Sequence, residues 1–247
     1  MLECQLQQAQ GDPTGEAERC LAKLGYKPSS SSDWNNQGWS RVLAGKYKDA
    51  LRDFSKALNI ESDNEIARVN RAHVYSKLGM RKEALGDVDY IINLDARSLS
   101  GLENKCLLYQ EWNEFKQAID WCGKAVGLYP DNAIALNNRG NAYLQSGEYE
   151  LAISDFEVAI KSDAQQATAI SNLDQALSEL GDDDLSRAVY GRLLKATGDD
   201  RWNEKNRLPW RLKEMRLSRT MLSGNSRMLS IVRKARRGNE HGTGFVG

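Results

Sequence analysis

The sequence predicts an all-α solenoid, in which helical hairpins stack one on the next and a C-terminal helix caps the stack. Three observations carry this. The first is self-similarity at a fixed step of 34 residues: Gly45-Lys46-Tyr47-Lys48-Asp49-Ala50 is echoed by Gly79-Met80-Arg81-Lys82-Glu83-Ala84, then by the stretches opening at Asn113 and Gly147, with no insertion. The second is periodicity. Apolar or small residues recur at three- and four-residue intervals in two windows per step, such as 33–44 and 48–60, the spacing of a helix that faces a core. The third is punctuation: a Gly, or Asn113, stands between the windows, where a helix ends in a left-handed residue.

The elements follow in chain order. Residues 1–30 read as an N-terminal helix and a serine-rich linker. Thr14 or Gly15 starts the helix, Ala17, Cys20, Leu21 and Leu24 share one face, and Gly25 stops it. Pro28-Ser29-Ser30-Ser31-Ser32 is the linker, and Ser32 or Asp33 caps the first repeat helix. The repeats occupy 31–64, 65–98, 99–132 and 133–166, with a degenerate fifth at 167–200 where Ser186 replaces the usual Ala. Phased positions agree across the steps: Tyr75, Tyr109 and Tyr143; Phe54, Val88, Cys122 and Phe156; Ala57, Ile91, Ala125 and Ala159. One hairpin cannot bury its own apolar face, whereas stacked hairpins can, and they coil around a concave groove.

Asp182-Asp183-Asp184 precedes a helix carrying Leu185, Val189, Leu193 and Leu194, which Gly198-Asp199-Asp200 breaks. A basic helical region, 201–237, comes next. Pro209 suits a helix start, and Leu208, Leu212, Met215 and Leu222 form a stripe that caps repeat five with the arginines outward. Met228, Ile231, Val232 and Ala235 give a last short helix, and 238–247 reads as a flexible tail.

Composition excludes several classes. The chain has 247 residues and no apolar run near 18, so no transmembrane helix is expected. Met1-Leu2-Glu3-Cys4-Gln5 lacks the basic and apolar regions of a secretory signal. Four cysteines without a CxxC pair, and two histidines, point away from a disulfide framework or a Cys/His metal site. The setting they suggest is reduced and cytoplasmic, with the nucleus as the alternative, and Cys106 and Cys122 read as core thiols. The net charge of zero conceals a split. Residues 201–247 hold 12 basic against 3 acidic side chains, +9, so residues 1–200 carry −9.

These repeats resemble the tetratricopeptide repeat family. The first shows Trp34, Gly38, Gly45, Tyr47, Ala50, Phe54 and Ala57, and the fourth shows Leu136, Gly140, Tyr143, Gly147, Tyr149, Ala152, Phe156 and Ala159. The resemblance implies a right-handed superhelix whose first helices line the groove, and a scaffold or adaptor that binds a protein segment there. Asn36, Asn70, Asn104, Asn138 and Asn172, each 34 residues apart, then form a ladder along it. A side-chain amide can bond a partner's backbone N–H and C=O without reading its sequence. This ladder resembles that of the O-linked N-acetylglucosamine transferase superhelix. Bonding to a neighbouring helix is the other role open to these amides. Trp39, His73, Asn137 and Asn141 are further groove candidates, as are Asn35, Val69, Glu103, Leu107 and Gln175. The carboxylate clamp of some co-chaperones is not matched, because Asn35, Trp39 and Ser100 stand where basic or clamp residues are needed.

Arg71 with Asp87, and Arg139 with Asp155, share a 16-residue offset that joins the two helices of a repeat. They read as ion pairs, worth about 0–1 kcal/mol if exposed. The second contact surface is basic: Arg211, Arg216, Arg219, Arg233, Lys234, Arg236 and Arg237. It suggests an acidic protein or a nucleic acid as the alternative partner. No catalytic set, metal ligands or cofactor site is read. Gly242 to Gly247 spells GxGxxG, but no helix follows to hold a phosphate.

Overall fold

Ten helices and no strand occupy the described residues, which are Cys20, Lys23, Gly25, residues 27–163 and 167–199, and Trp202 of a computed structural model. In order they are α1 Ser31–Leu43, α2 Tyr47–Ile60, α3 Glu65–Lys77, α4 Arg81–Leu94, α5 Leu99–Glu111, α6 Phe115–Leu128, α7 Ala133–Ser146, α8 Tyr149–Ser162, α9 Ala167–Leu180 and α10 Asp183–Thr197. The two helices pack together in the first four predicted hairpins: α1 with α2, α3 with α4, α5 with α6 and α7 with α8. The turns are where the sequence put them: Gly45, Gly79, Gly147 and Gly181 have φ between 71° and 85°, and Asn113 takes the same role at φ 60°. Most of the N-terminal helix expected before Gly25, and the region from 203 onward, lie outside the described residues.

The first helices of repeats one to four are capped in one phase. Ser30, Asn64, Ser98 and Asn132 are the N-caps, and each side chain accepts a backbone N–H three residues on. This corrects the expected cap at Ser32 or Asp33. Ser30 is the cap, and Asp33 closes a capping box by accepting from the Ser30 amide at 3.0 Å. The 34-residue phase of these four polar residues was the available signal.

The residues form two compact units, Met1–Ala176 and Leu177–Gly247. In the first, the helices of repeats one to four pack together in pairs, and the second helix of repeats one to three also packs on the first helix of the next. The core clusters show this arrangement. Ala50 and Phe54 meet Val74, then Ala72, Ala84 and Val88 meet Leu108, then Cys106, Ala118 and Cys122 meet Ala142.

The helix–helix contact at the 16-residue offset is filled in three different ways across repeats one to four, yet it is closed every time. Gly38 and Gly140 leave room for the Phe54 and Phe156 rings; a Cβ on either glycine would lie 2.7 Å from the ring. Repeat two uses Ala72 and Val88, both buried. Repeat three uses a disulfide between Cys106 and Cys122, so these are not the free core thiols expected from the cysteine count. Both sulfurs are fully buried where the other repeats place a ring or methyl groups. Cys20 is disulfide-bonded as well. The signal was present in the sequence: Cys4 to Cys106 and Cys20 to Cys122 each span three 34-residue steps, so all four cysteines occupy the same two phases. The reason for expecting a reducing compartment is thereby removed.

The predicted ion pairs form, but they are not exposed. Arg71 and Arg139 each grip Asp87 and Asp155 through two bonds of 2.7 Å, and both carboxylates are buried. Two parallel bonds in a dry site make these pairs stronger than the surface value first assigned. In repeat one the equivalent Asp53 pairs with Arg41 at 2.6 Å. In repeat three Trp121 stands at that phase, with the Lys105 ammonium 3.9 Å from its ring centroid.

In the second unit, Asp182 caps α10 by accepting from the Asp184 and Leu185 amides. Ser186 is buried at the usual Ala place and satisfies its hydroxyl by donating to the Asp182 carbonyl at 2.8 Å. Val189 and Leu193 are fully buried, and Gly198 ends the helix at φ 66°. Trp202 stacks on Tyr190 with centroids 6.3 Å apart and is 1% exposed, so it is a core residue and not part of a basic surface.

Candidate functional site

The ladder asparagines sit on the first helix of each repeat, on α1, α3, α5, α7 and α9, and all five are half-buried. Equal spacing gives them equal placement but not equal bonding. Asn70 Nδ2 donates to Asn35 Oδ1 at 2.9 Å, and Asn172 Nδ2 donates to Asn137 Oδ1 at 3.2 Å. In both pairs the acceptor lies 35 residues earlier, at the position before the ladder in the preceding repeat. The same position holds Val69 and Glu103 in repeats two and three. Val69 offers no acceptor, so Asn104 turns back along its own helix and donates to the Ser100 carbonyl at 2.8 Å. Asn138 makes no such bond to Glu103 among the described residues. The rungs at Asn70 and Asn172 are therefore closed, and the stretch between them, Asn104 and Asn138, is open toward the neighbouring repeats.

Asn141 is tied in from the other side. Its Nδ2 donates to Gln110 Oε1 at 2.6 Å, while Gln110 Nε2 donates to the Asn138 backbone carbonyl at 2.9 Å and lies 3.1 Å from Cys106 Sγ. Gln110 thus holds the backbone of one ladder residue and the side chain of its neighbour, against the disulfide. It was not among the sequence candidates; Ser76 and Leu144 stand at its phase, so the repeat pattern gave no hint.

Beside Asn104 lies a cavity of about 330 Å³ lined by Val69, His73, Lys77, Leu107 and Glu111, among others. Leu107 is 43% exposed in its wall. Lys77 bonds Glu111 at 2.6 Å, and Ser76 donates to the same carboxylate at 2.6 Å while accepting from Trp112 Nε1 at 2.9 Å. Burial would raise the Glu111 pKa, but hydrogen bonds from Lys77 and Ser76, with the charges of Lys77 and His73, carry it below 4.5. His73 goes below 6.5: burial disfavours its cation more than Glu111 favours it, and Lys77 adds repulsion. The imidazole is therefore neutral at pH 7. Burial raises the Glu103 pKa above 4.5.

Trp39 is half-buried on α1. The basic surface predicted at Arg211, Arg216, Arg219, Arg233, Lys234, Arg236 and Arg237 lies outside the described residues. A nucleic acid or acidic partner there gains no structural support. Among the described residues no group of three or more His, Cys, Asp or Glu could hold a metal ion, and no helix is long and apolar enough to cross a membrane.

Residues 133–165 match the tetratricopeptide repeat family model. No curated protein matches the chain. Among solved structures, the thermophilic tetratricopeptide-repeat protein TTC0263 of Thermus thermophilus is similar at 21% identity and TM-score 0.53, over 69% of this chain and 93% of that one. A tetratricopeptide repeat protein from Parabacteroides merdae is similar at 20% identity and TM-score 0.52, over 77% of this chain and 76% of that one. The Cut9–Hcn1 hetero-tetramer gives 16% identity and TM-score 0.58, over 84% of this chain and 41% of the matched chain. At these identities the likeness establishes the fold.

Proposed function

We propose that this tetratricopeptide-repeat chain is a protein-interaction scaffold that holds a partner segment against the ladder face of repeats one to five. The observation that carries it is the open middle of the ladder. Asn104 and Asn138 stand in phase with Asn70 and Asn172 but their side chains are not spent on a neighbouring helix, and Asn104 borders a cavity with an exposed Leu107. Half-buried amides that can give and take hydrogen bonds suit a polypeptide backbone, and an adjoining hollow walled in part by Val69, Leu107 and Leu108 suits an apolar side chain. The mechanism is non-covalent: backbone bonds supply affinity, and the hollow supplies preference. This mechanism needs no catalytic group and no cofactor.

The test separates open rungs from closed ones. Asn36, Asn104 and Asn138 are replaced together by Ala, and partners captured from native lysate are compared with those of the unaltered chain. We expect capture to fall while the melting temperature holds. Asn70→Ala is the contrast, since it strands the Asn35 carbonyl oxygen and should cost about 1 kcal/mol of stability. Undiminished capture by the triple variant overturns the reading.

A further inference from the structure

We propose that the open stretch of the ladder receives a basic side chain of the partner segment at Glu103, with an apolar side chain of the same segment in the cavity beside Leu107. This rests on the groove reading above and adds the partner's chemistry to it. Glu103 occupies the phase of Asn35 and Asn137, which each accept a hydrogen bond from the next repeat. Glu103 accepts none there, and its Oε1 is buried without a hydrogen-bond partner. A carboxylate with one oxygen buried and lacking a donor is costly, and a partner's ammonium or guanidinium brought to this half-buried side chain offsets that cost by charge attraction. The raised pKa of Glu103, caused by burial, agrees with a carboxyl short of donors.

Charge on this face favours the same occupant. Four ionisable side chains stand on it in repeats two and three: His73, Lys77, Glu103 and Glu111. Lys77 and Glu111 neutralise one another at 2.6 Å, and His73 is neutral at pH 7. Glu103 is left with one uncompensated negative charge, so a basic side chain is attracted and an acidic one repelled. Leu107 follows Glu103 by four residues on α5, about one turn or 5.4 Å along the axis. The partner's basic and apolar side chains are then about two residues apart if it is extended, or three to four if it is helical.

The probe is a set of fluorescein-labelled ten-residue peptides. Each has a fixed Leu and, two to four positions away, a fixed Lys, Arg, Glu or Gln, with the other positions randomised. Binding to the full chain is read by fluorescence polarisation. We expect the Lys and Arg pools to bind best, and Glu103→Gln, which keeps shape and removes charge, to weaken them about tenfold while leaving the Gln pools unchanged. Glu103→Lys should shift preference toward the Glu pools. If peptides bind without a basic preference, or Glu103→Gln keeps that preference, this proposal is overturned and the groove reading stands. If no pool binds the unaltered chain, the groove reading fails and takes this proposal with it. Self-association in sedimentation velocity that Glu103→Gln abolishes would put a second copy at the site and also overturn it.

Discussion

The contact that closes each hairpin conserves filled space more than residue identity, and it can be tested by transplanting one repeat's solution into another. Repeat four uses Gly140 and Phe156; repeat two uses Ala72 and Val88. A Cβ on Gly140 would stand 2.7 Å from Phe156 Cε1, 2.9 Å from Cδ1 and 3.1 Å from Cζ, against a ring that is fully buried and has nowhere to move. Gly140→Ala gains about 1 kcal/mol in helix propensity but loses about 1–3 kcal/mol to overpacking. It should therefore destabilise by up to about 2 kcal/mol. Phe156→Val empties part of the ring's site. Full truncation to Ala costs about 3–5 kcal/mol, so Val should cost about 2–3 kcal/mol. Together the two substitutions reproduce the Ala72–Val88 pair, in which the methyl group fills space the smaller side chain vacates. The double variant should then be about 1–2 kcal/mol more stable than the sum of the singles. Urea unfolding followed by circular dichroism gives all four corners of the cycle. A cycle additive to within about 0.5 kcal/mol, or a Gly140→Ala chain more stable than the original, would refute the idea that these two positions form one packing unit.

Two further outcomes are expected. The Cys106–Cys122 bond closes a separation of 16 residues and should stabilise by about 3 kcal/mol. A chain carrying Cys106→Ala and Cys122→Val, again the repeat-two pair, should lose less melting temperature on adding dithiothreitol than the unaltered chain, and an equal loss would show that the bond contributes nothing. For His73 the folded pKa lies below 6.5, so the unfolded chain binds the proton first. Its contribution is intact above that pH and is lost as pH falls toward the folded value. His73→Gln should therefore flatten the fall in melting temperature between about pH 7 and 5; an unchanged slope argues that the imidazole is solvated.

The hairpins were legible because packing makes them strict. Gly38, Ala50, Phe54 and Ala57 sit where two helices approach, few residue types fit, and the phase survives. The ladder was legible as a set of positions but not as a set of bonds. Whether Asn70 or Asn104 is tied down depends on Asn35 or Val69, the residue 35 places earlier, and that cross-repeat neighbour becomes visible only when helices stack. The disulfide shows a different failure. The 16-residue offset that pairs Arg71 with Asp87 also separates Cys106 from Cys122, so the spacing allows the bond, whereas the number of cysteines carries no sign of it. The buried ion pairs were placed correctly and undervalued, because a 16-residue offset tells which side chains meet and not that the carboxylates of Asp87 and Asp155 are buried.

The disulfide has a consequence for how the array comes apart. In a stack where each repeat touches only its neighbours, unfolding can begin at any weak unit and spread like a fray along a rope. Opening a repeat means parting its two helices, and α5 and α6 are covalently joined at the middle of their contact. While oxidised, repeat three is a knot at which fraying from either side should halt. Its backbone amides should exchange with deuterium more slowly than those of repeats one and two, and adding reductant should erase the difference without moving a single helix. The oxidation state of the surroundings would then decide whether the four-repeat block unravels as one cooperative body or in two independent stretches.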